Sequence, residues 1–147
     1  MASRERLARI ATVRRMRETQ ERTAARRVAD GVAALEKSAR RISRIEETSR
    51  WVRRELASRM EAGTDAWELL LYHDSWKRLR ERKRLALEEH SRREAALNAA
   101  REAYLSTRIE RKKAETWERN VGTRIRDEEE MQGARQMDEL AVIRRRW

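Results

Sequence analysis

The side chains best equipped for chemistry in this 147-residue sequence are two histidines, His73 and His90, and an unusual aromatic set of five Trp and two Tyr with no Phe. His90 lies beside Glu89 and Glu94, which makes half of a metal-ligand set. A zinc site needs three or four ligands of fixed geometry, and one imidazole with two flexible carboxylates does not supply them. There is no Cys, no Gly-rich phosphate loop and no nucleophile spaced for a neighbouring base. We therefore expect no enzyme, no cofactor, no metal and no small-molecule substrate. His90 reads better as a partly buried histidine on a seam between helices.

The elements that would carry these residues follow from composition. Charged residues make up 43% of the chain and hydrophobic ones 39%, too little apolar matter for a thick globular core. Ala, Arg, Glu and Leu dominate, as in long helices and coiled coils. Disorder is the competing reading for so charged a chain. The absence of Pro and the wealth of strong helix formers oppose it. Without Cys nothing points to an oxidising compartment. The start, Met1-Ala2-Ser3-Arg4-Glu5-Arg6, lacks the apolar stretch of a leader. The longest apolar run, Leu69-Leu70-Leu71-Tyr72, falls far short of the roughly 20 residues of a membrane span. A soluble cytoplasmic protein is expected.

One clean break interrupts the helical pattern, at Glu61-Ala62-Gly63-Thr64-Asp65-Ala66-Trp67-Glu68. Gly63 can take the left-handed conformation that ends a helix. Asp65 can cap the next helix, with Glu68 completing a capping box. The expected fold is all-α: one antiparallel two-helix coiled-coil hairpin with unequal arms. Helix 1 covers about 4–62, the turn 63–65 and helix 2 about 66–145. At 1.5 Å per residue the arms would be roughly 90 and 120 Å long.

A heptad frame supports pairing of the arms. On the first it runs Leu7, Ile10, Arg14, Arg17, Glu21, Ala24, Val28, Gly31 and on to Leu56 and Arg59. On the second it runs Leu69, Tyr72, Trp76, Leu79, Lys83, Ala86, His90 and on to Val121 and Ile125. A seam sustained over so many heptads favours a left-handed supercoil. Folding about the turn sets residue i opposite roughly residue 128 − i, assuming uniform rise. The overhang, about 122–147, then has no partner. It contains Gly122 and Gly133, and fraying is expected there unless a partner orders it.

Nine acid-to-base pairs at i,i+4 can support the exposed faces: Glu5–Arg9, Glu18–Arg22, Glu36–Arg40, Glu46–Arg50, Glu55–Arg59, Asp74–Arg78, Glu88–Arg92, Glu89–Arg93 and Glu115–Arg119. Much of the charge is thus a solvated helix surface. Of the formal net charge of +11, residues 1–62 carry +8, so the first arm would be drawn to acidic surfaces. Trp76, Tyr72 and Tyr104 sit on the frame, whereas Trp51, Trp67, Trp117 and Trp147 fall off it. Trp51, Trp67, Tyr72 and Trp76 gather toward the turn, either as a self-packed tip or as a docking surface.

Three segments carry a resemblance. The first is Gly63-Thr64 with Trp67-Glu68-Leu69, Tyr72, Trp76 and Leu79. The second is Arg111-Lys112-Lys113-Ala114-Glu115-Thr116-Trp117-Glu118-Arg119. The third is Glu128-Glu129-Glu130 leading to Met137-Asp138-Glu139-Leu140-Ala141. In this order they resemble the FliJ family of flagellar type III protein export, with YscO-type injectisome proteins as close analogues. Lys83 departs from the family pattern at the edge of the tip patch. The resemblance implies a central stalk that inserts into the hexameric flagellar export ATPase, promotes its assembly and activity, contacts the cytoplasmic domain of the export-gate membrane protein and handles export chaperones. It also implies a cytoplasmic protein held peripherally at the inner membrane beneath the flagellar basal body. Gate contact falls on Tyr72, Trp76 and Leu79, with Trp51 and Trp67 as additional tip contacts. Ring contact falls on Arg14, Arg17 and Glu21, where charge interrupts the seam.

Three alternatives stay open. An injectisome stalk is not separable by sequence. A basic nucleic-acid binder is compatible with a pI of about 11.1, although acids interleave the bases and no reading motif is present. A plain coiled-coil scaffold would leave the turn aromatics without a partner.

Overall fold

The computed structural model describes residues 2–147. Two helices account for nearly all of them, α1 at Ala2–Ala62 and α2 at Ala66–Arg146. No strand occurs among the described residues, and no helix among them is long and apolar enough to cross a membrane.

The turn is built by the residues that punctuate the sequence. Gly63 takes φ +77°, which a side chain would strain, and its N–H donates to the Met60 carbonyl at 3.4 Å. Asp65 Oδ1 accepts from the Glu68 N–H at 2.9 Å, capping α2. The other half of the expected capping box is not made. The Glu68 carboxylate accepts instead from the Thr64 hydroxyl at 2.5 Å and meets Arg59 at 3.6 Å.

Arg26–Glu102 forms one compact unit, the turn unit, and the chain flanking it on both sides forms another, the terminal unit. In the turn unit Val52, Leu79, Ala86, Leu97 and Ser38 are buried. Cross-helix neighbours run in opposite directions: Gly31 against Leu97, Ser38 against His90, Glu46 against Lys83, Arg59 against Glu68. In the terminal unit Ile10, Ala24, Ala114 and Val121 are buried, and Arg14 meets Glu118 while Glu21 meets Arg111. Each unit is therefore an antiparallel helix pair. Every buried side chain lies on the heptad frame. Among the four glycines only Gly31 sits against a neighbour: a Cβ there would lie 3.1 Å from Leu97 Cδ1.

From Arg126 onward every residue is exposed, yet α2 stays helical through Gly133 to Arg146. The fraying expected after Gly122 is replaced by continuous helix. Strong helix formers on both sides offset glycines that cost about 1 kcal/mol each. Nothing lies within 4 Å of a Cβ built at Gly133, so Gly133→Ala should raise helix stability by about 1 kcal/mol. Slower amide exchange around residue 133 would check this, and unchanged or faster exchange would contradict it.

Candidate functional site

The terminal unit carries a polar seam. Two frame positions of α1, Arg14 and Glu21, face two of α2, Glu118 and Arg111, and the pairs close as short ion pairs. Each arginine also holds a glutamate one turn along its own helix: Arg14 with Glu18 at 2.8 Å and Arg111 with Glu115 at 2.9 Å. Hydrogen bonds to Glu18, then Glu118, push the Arg14 guanidinium above its ordinary range. Glu115, then Glu21, do the same to Arg111. Charge thus replaces grease along the seam, and each of these six side chains has an ion-pair partner. Such a ladder fixes register and orientation more than it adds stability. Arg17, a half-buried frame residue, donates only to Gln20, at 3.2 Å, and has no carboxylate at ion-pair distance among the described residues. It is the free cation of this seam.

The turn unit holds the aromatic candidates. Tyr72 and Trp76 are half-buried on the seam side of α2, and Leu79 is buried. The Arg53 and Arg80 guanidinium carbons lie 5.7 and 5.5 Å from the Trp76 ring centroid, cation–π contacts from α1 and from α2 itself. The His73 ring stacks on the same indole at 6.4 Å. Trp51 and Trp67 are more than half exposed, and so are Leu70 and Leu71. Trp67, Leu70 and Leu71 follow the i, i+3, i+4 spacing of one helix face, turned away from the seam. An exposed Trp–Leu–Leu face is an unusual surface feature. Its aliphatic members were missed from sequence, where Leu69-Leu70-Leu71-Tyr72 reads as one apolar run. The i, i+3, i+4 step from Trp67 is the signal that separates Leu70 and Leu71 from the seam.

His90 makes the seam contact its position suggests, with Nδ1 3.2 Å from Ser38 Oγ. It is a structural histidine, and no cluster of metal-ligating side chains occurs among the described residues. The intrahelical ion pairs differ from the nine spacings. Glu88–Arg92 and Glu89–Arg93 close, but Glu18 and Glu115 turn back to Arg14 and Arg111, and Glu46 crosses to Lys83 at 3.4 Å. For Glu46 the cation across the seam wins over the one a turn along its own helix.

These contacts give the molecule a defined pH response. Arg93, with Arg41 from α1, holds the Glu89 carboxyl below its usual range, and Arg84 does the same for Glu81. A carboxyl lowered on folding stabilises above its unfolded pKa and loses that contribution as pH falls through the folded one. The raised arginines contribute at every pH below their own range. Thermal stability should therefore be flat from neutral to mildly alkaline pH and fall on acidification. A melting temperature that rises as the pH drops through the carboxylate range would contradict the assignment.

Against known proteins, the family model described as the flagellar FliJ protein matches residues 6–146, nearly the whole chain. No curated protein and no solved structure matches it.

Proposed function

The chain belongs to the flagellar FliJ family and is a component of flagellar type III protein export; from that premise we propose that it is the central stalk of the hexameric export ATPase. The terminal unit, with Arg14, Arg17 and Glu21, engages the ring. Charged contacts at Arg17 and along the adjoining ladder can break and re-form against several subunits, where an apolar end would stick. The turn unit engages the cytoplasmic domain of the membrane export gate through Tyr72, Trp76 and the exposed Trp51 and Trp67, while Leu79, expected as a third contact, is buried on the seam and serves the helix pair. Export chaperones are handled by the same stalk. Its place is the cytoplasmic face of the inner membrane at the basal body, reached through these partners.

The observation that carries this reading is the polar seam. A helix pair built only to be stable would place apolar side chains at Arg14, Glu21, Arg111 and Glu118. Adding the protein to its cognate export ATPase should raise hydrolysis severalfold and favour the hexamer over the monomer in sedimentation. No stimulation at saturating stoichiometry would remove the stalk role.

A further inference from the structure

The groove over Trp76 has a chemistry that an aromatic contact alone does not explain. It encloses about 540 Å³, and Arg50, Arg53 and Arg80 line it together with Ser49, Glu46 and Lys83. Glu46 and Lys83 neutralise one another. Arg50, Arg53 and Arg80 have no carboxylate at ion-pair distance among the described residues. A second hollow of similar size adds Arg54 and Glu47 on the α1 side of the same arginines. Two of the guanidinium groups are held against the Trp76 ring. Their planar donor forks are therefore positioned in advance, with no acceptor of their own, which is the arrangement that receives carboxylates. A smaller hollow of about 260 Å³, lined by Val52, Arg53, Leu56, His73 and Trp76, shares Arg53 and Trp76 with the groove. Its walls suit one aliphatic side chain.

We infer that this groove takes an acidic segment of a partner protein, Asp or Glu side chains on Arg50, Arg53 and Arg80 and one aliphatic residue in the hollow beside Trp76. Nucleic acid fits less well. The Trp76 ring already carries Arg53, Arg80 and His73, which compete with a stacking base for its faces. The inference rests on the turn-unit reading above and specifies the chemistry of the segment recognised there.

The probe is a fluorescein-labelled dodecapeptide of Asp and Glu with a single central Leu, followed by anisotropy at moderate salt. Arg53→Glu with Arg80→Glu should weaken binding at least tenfold, and Arg53→Gln with Arg80→Gln should weaken it less. Arg101→Glu with Arg108→Glu, an equal change in net charge at exposed positions, should change it less than twofold. Replacing the peptide's Leu with Ser should weaken it severalfold. Equal weakening by both charge-reversed proteins would reduce the effect to bulk charge and overturn the inference. So would a thymidine dodecamer that binds more tightly with the same arginine dependence. The gate domain separates this from the function proposed above. If the wild-type chain binds it and the Arg53/Arg80 variants bind it equally well, the groove is wrong and the gate reading stands. If it does not bind, yet the peptide does so through these arginines, the gate reading fails and the groove stands.

Discussion

Leu97→Ala should lower the stability of the protein by about 2–5 kcal/mol, the range for a buried leucine whose cavity cannot collapse fully. Leu97 is almost wholly buried, and its Cδ1 fills the space left by the missing side chain of Gly31. Few seam positions are so enclosed, because a two-helix pair covers each residue from one side only. The loss is large against the roughly 5–15 kcal/mol of a typical domain. Adding Gly31→Ala to Leu97→Ala should recover about 1 kcal/mol, since alanine favours helix and the close approach is gone. Denaturant unfolding followed by circular dichroism reads both. Further destabilisation of the double variant would contradict the packing described.

Arg14→Glu should open the terminal unit. The new carboxylate would face Glu118 across the seam and Glu18 along α1, with the guanidinium that satisfies both removed. Like charges in a partly buried seam repel strongly, and the aligned apolar neighbours, Ile10 and Val121, are too few to hold against them. Spin labels at Arg9 and Arg119, both exposed, should report a short, narrow distance in the wild type and a broad, longer one in the variant. Adding Glu118→Arg restores a cross-helix pair of reversed polarity and should return most of the narrow distribution. Rescue stays incomplete because Glu18 still faces the introduced carboxylate one turn away. An Arg14→Glu chain with unchanged distances would show that the ladder does not hold the unit together.

Much of this architecture is legible in the residues themselves, for physical reasons. Every buried side chain lies on the heptad frame because a two-helix interface buries only that stripe. Gly63 and Asp65 mark the turn because left-handed backbone and an exposed helix N-terminus each admit few residue types. The ion-pair pattern is not legible in the same way. Spacing along one helix pairs Glu46 with Arg50, but the nearest cation in space is Lys83 of the other helix. That exchange leaves Arg50 without a carboxylate partner among the described residues and creates the basic groove over Trp76, which needs the registers of both helices to be seen. Glu68 departs from the capping box because its carboxylate takes the neighbouring Thr64 hydroxyl instead. Continuation of α2 to Arg146 reflects summed propensity over a long segment, which two glycines do not outweigh.

The two units carry different surfaces, a charged ladder in one and an exposed Trp–Leu–Leu face beside a basic groove in the other, and the function proposed above gives them different partners. A photo-crosslinking amino acid placed at Arg15, exposed beside the ladder, or at Leu70, exposed on the aromatic face, tests this in flagellated cells. The expected result is capture of the export ATPase from position 15 and of the export-gate cytoplasmic domain from position 70. Capture of one and the same protein from both positions, or the reverse pattern, would contradict it.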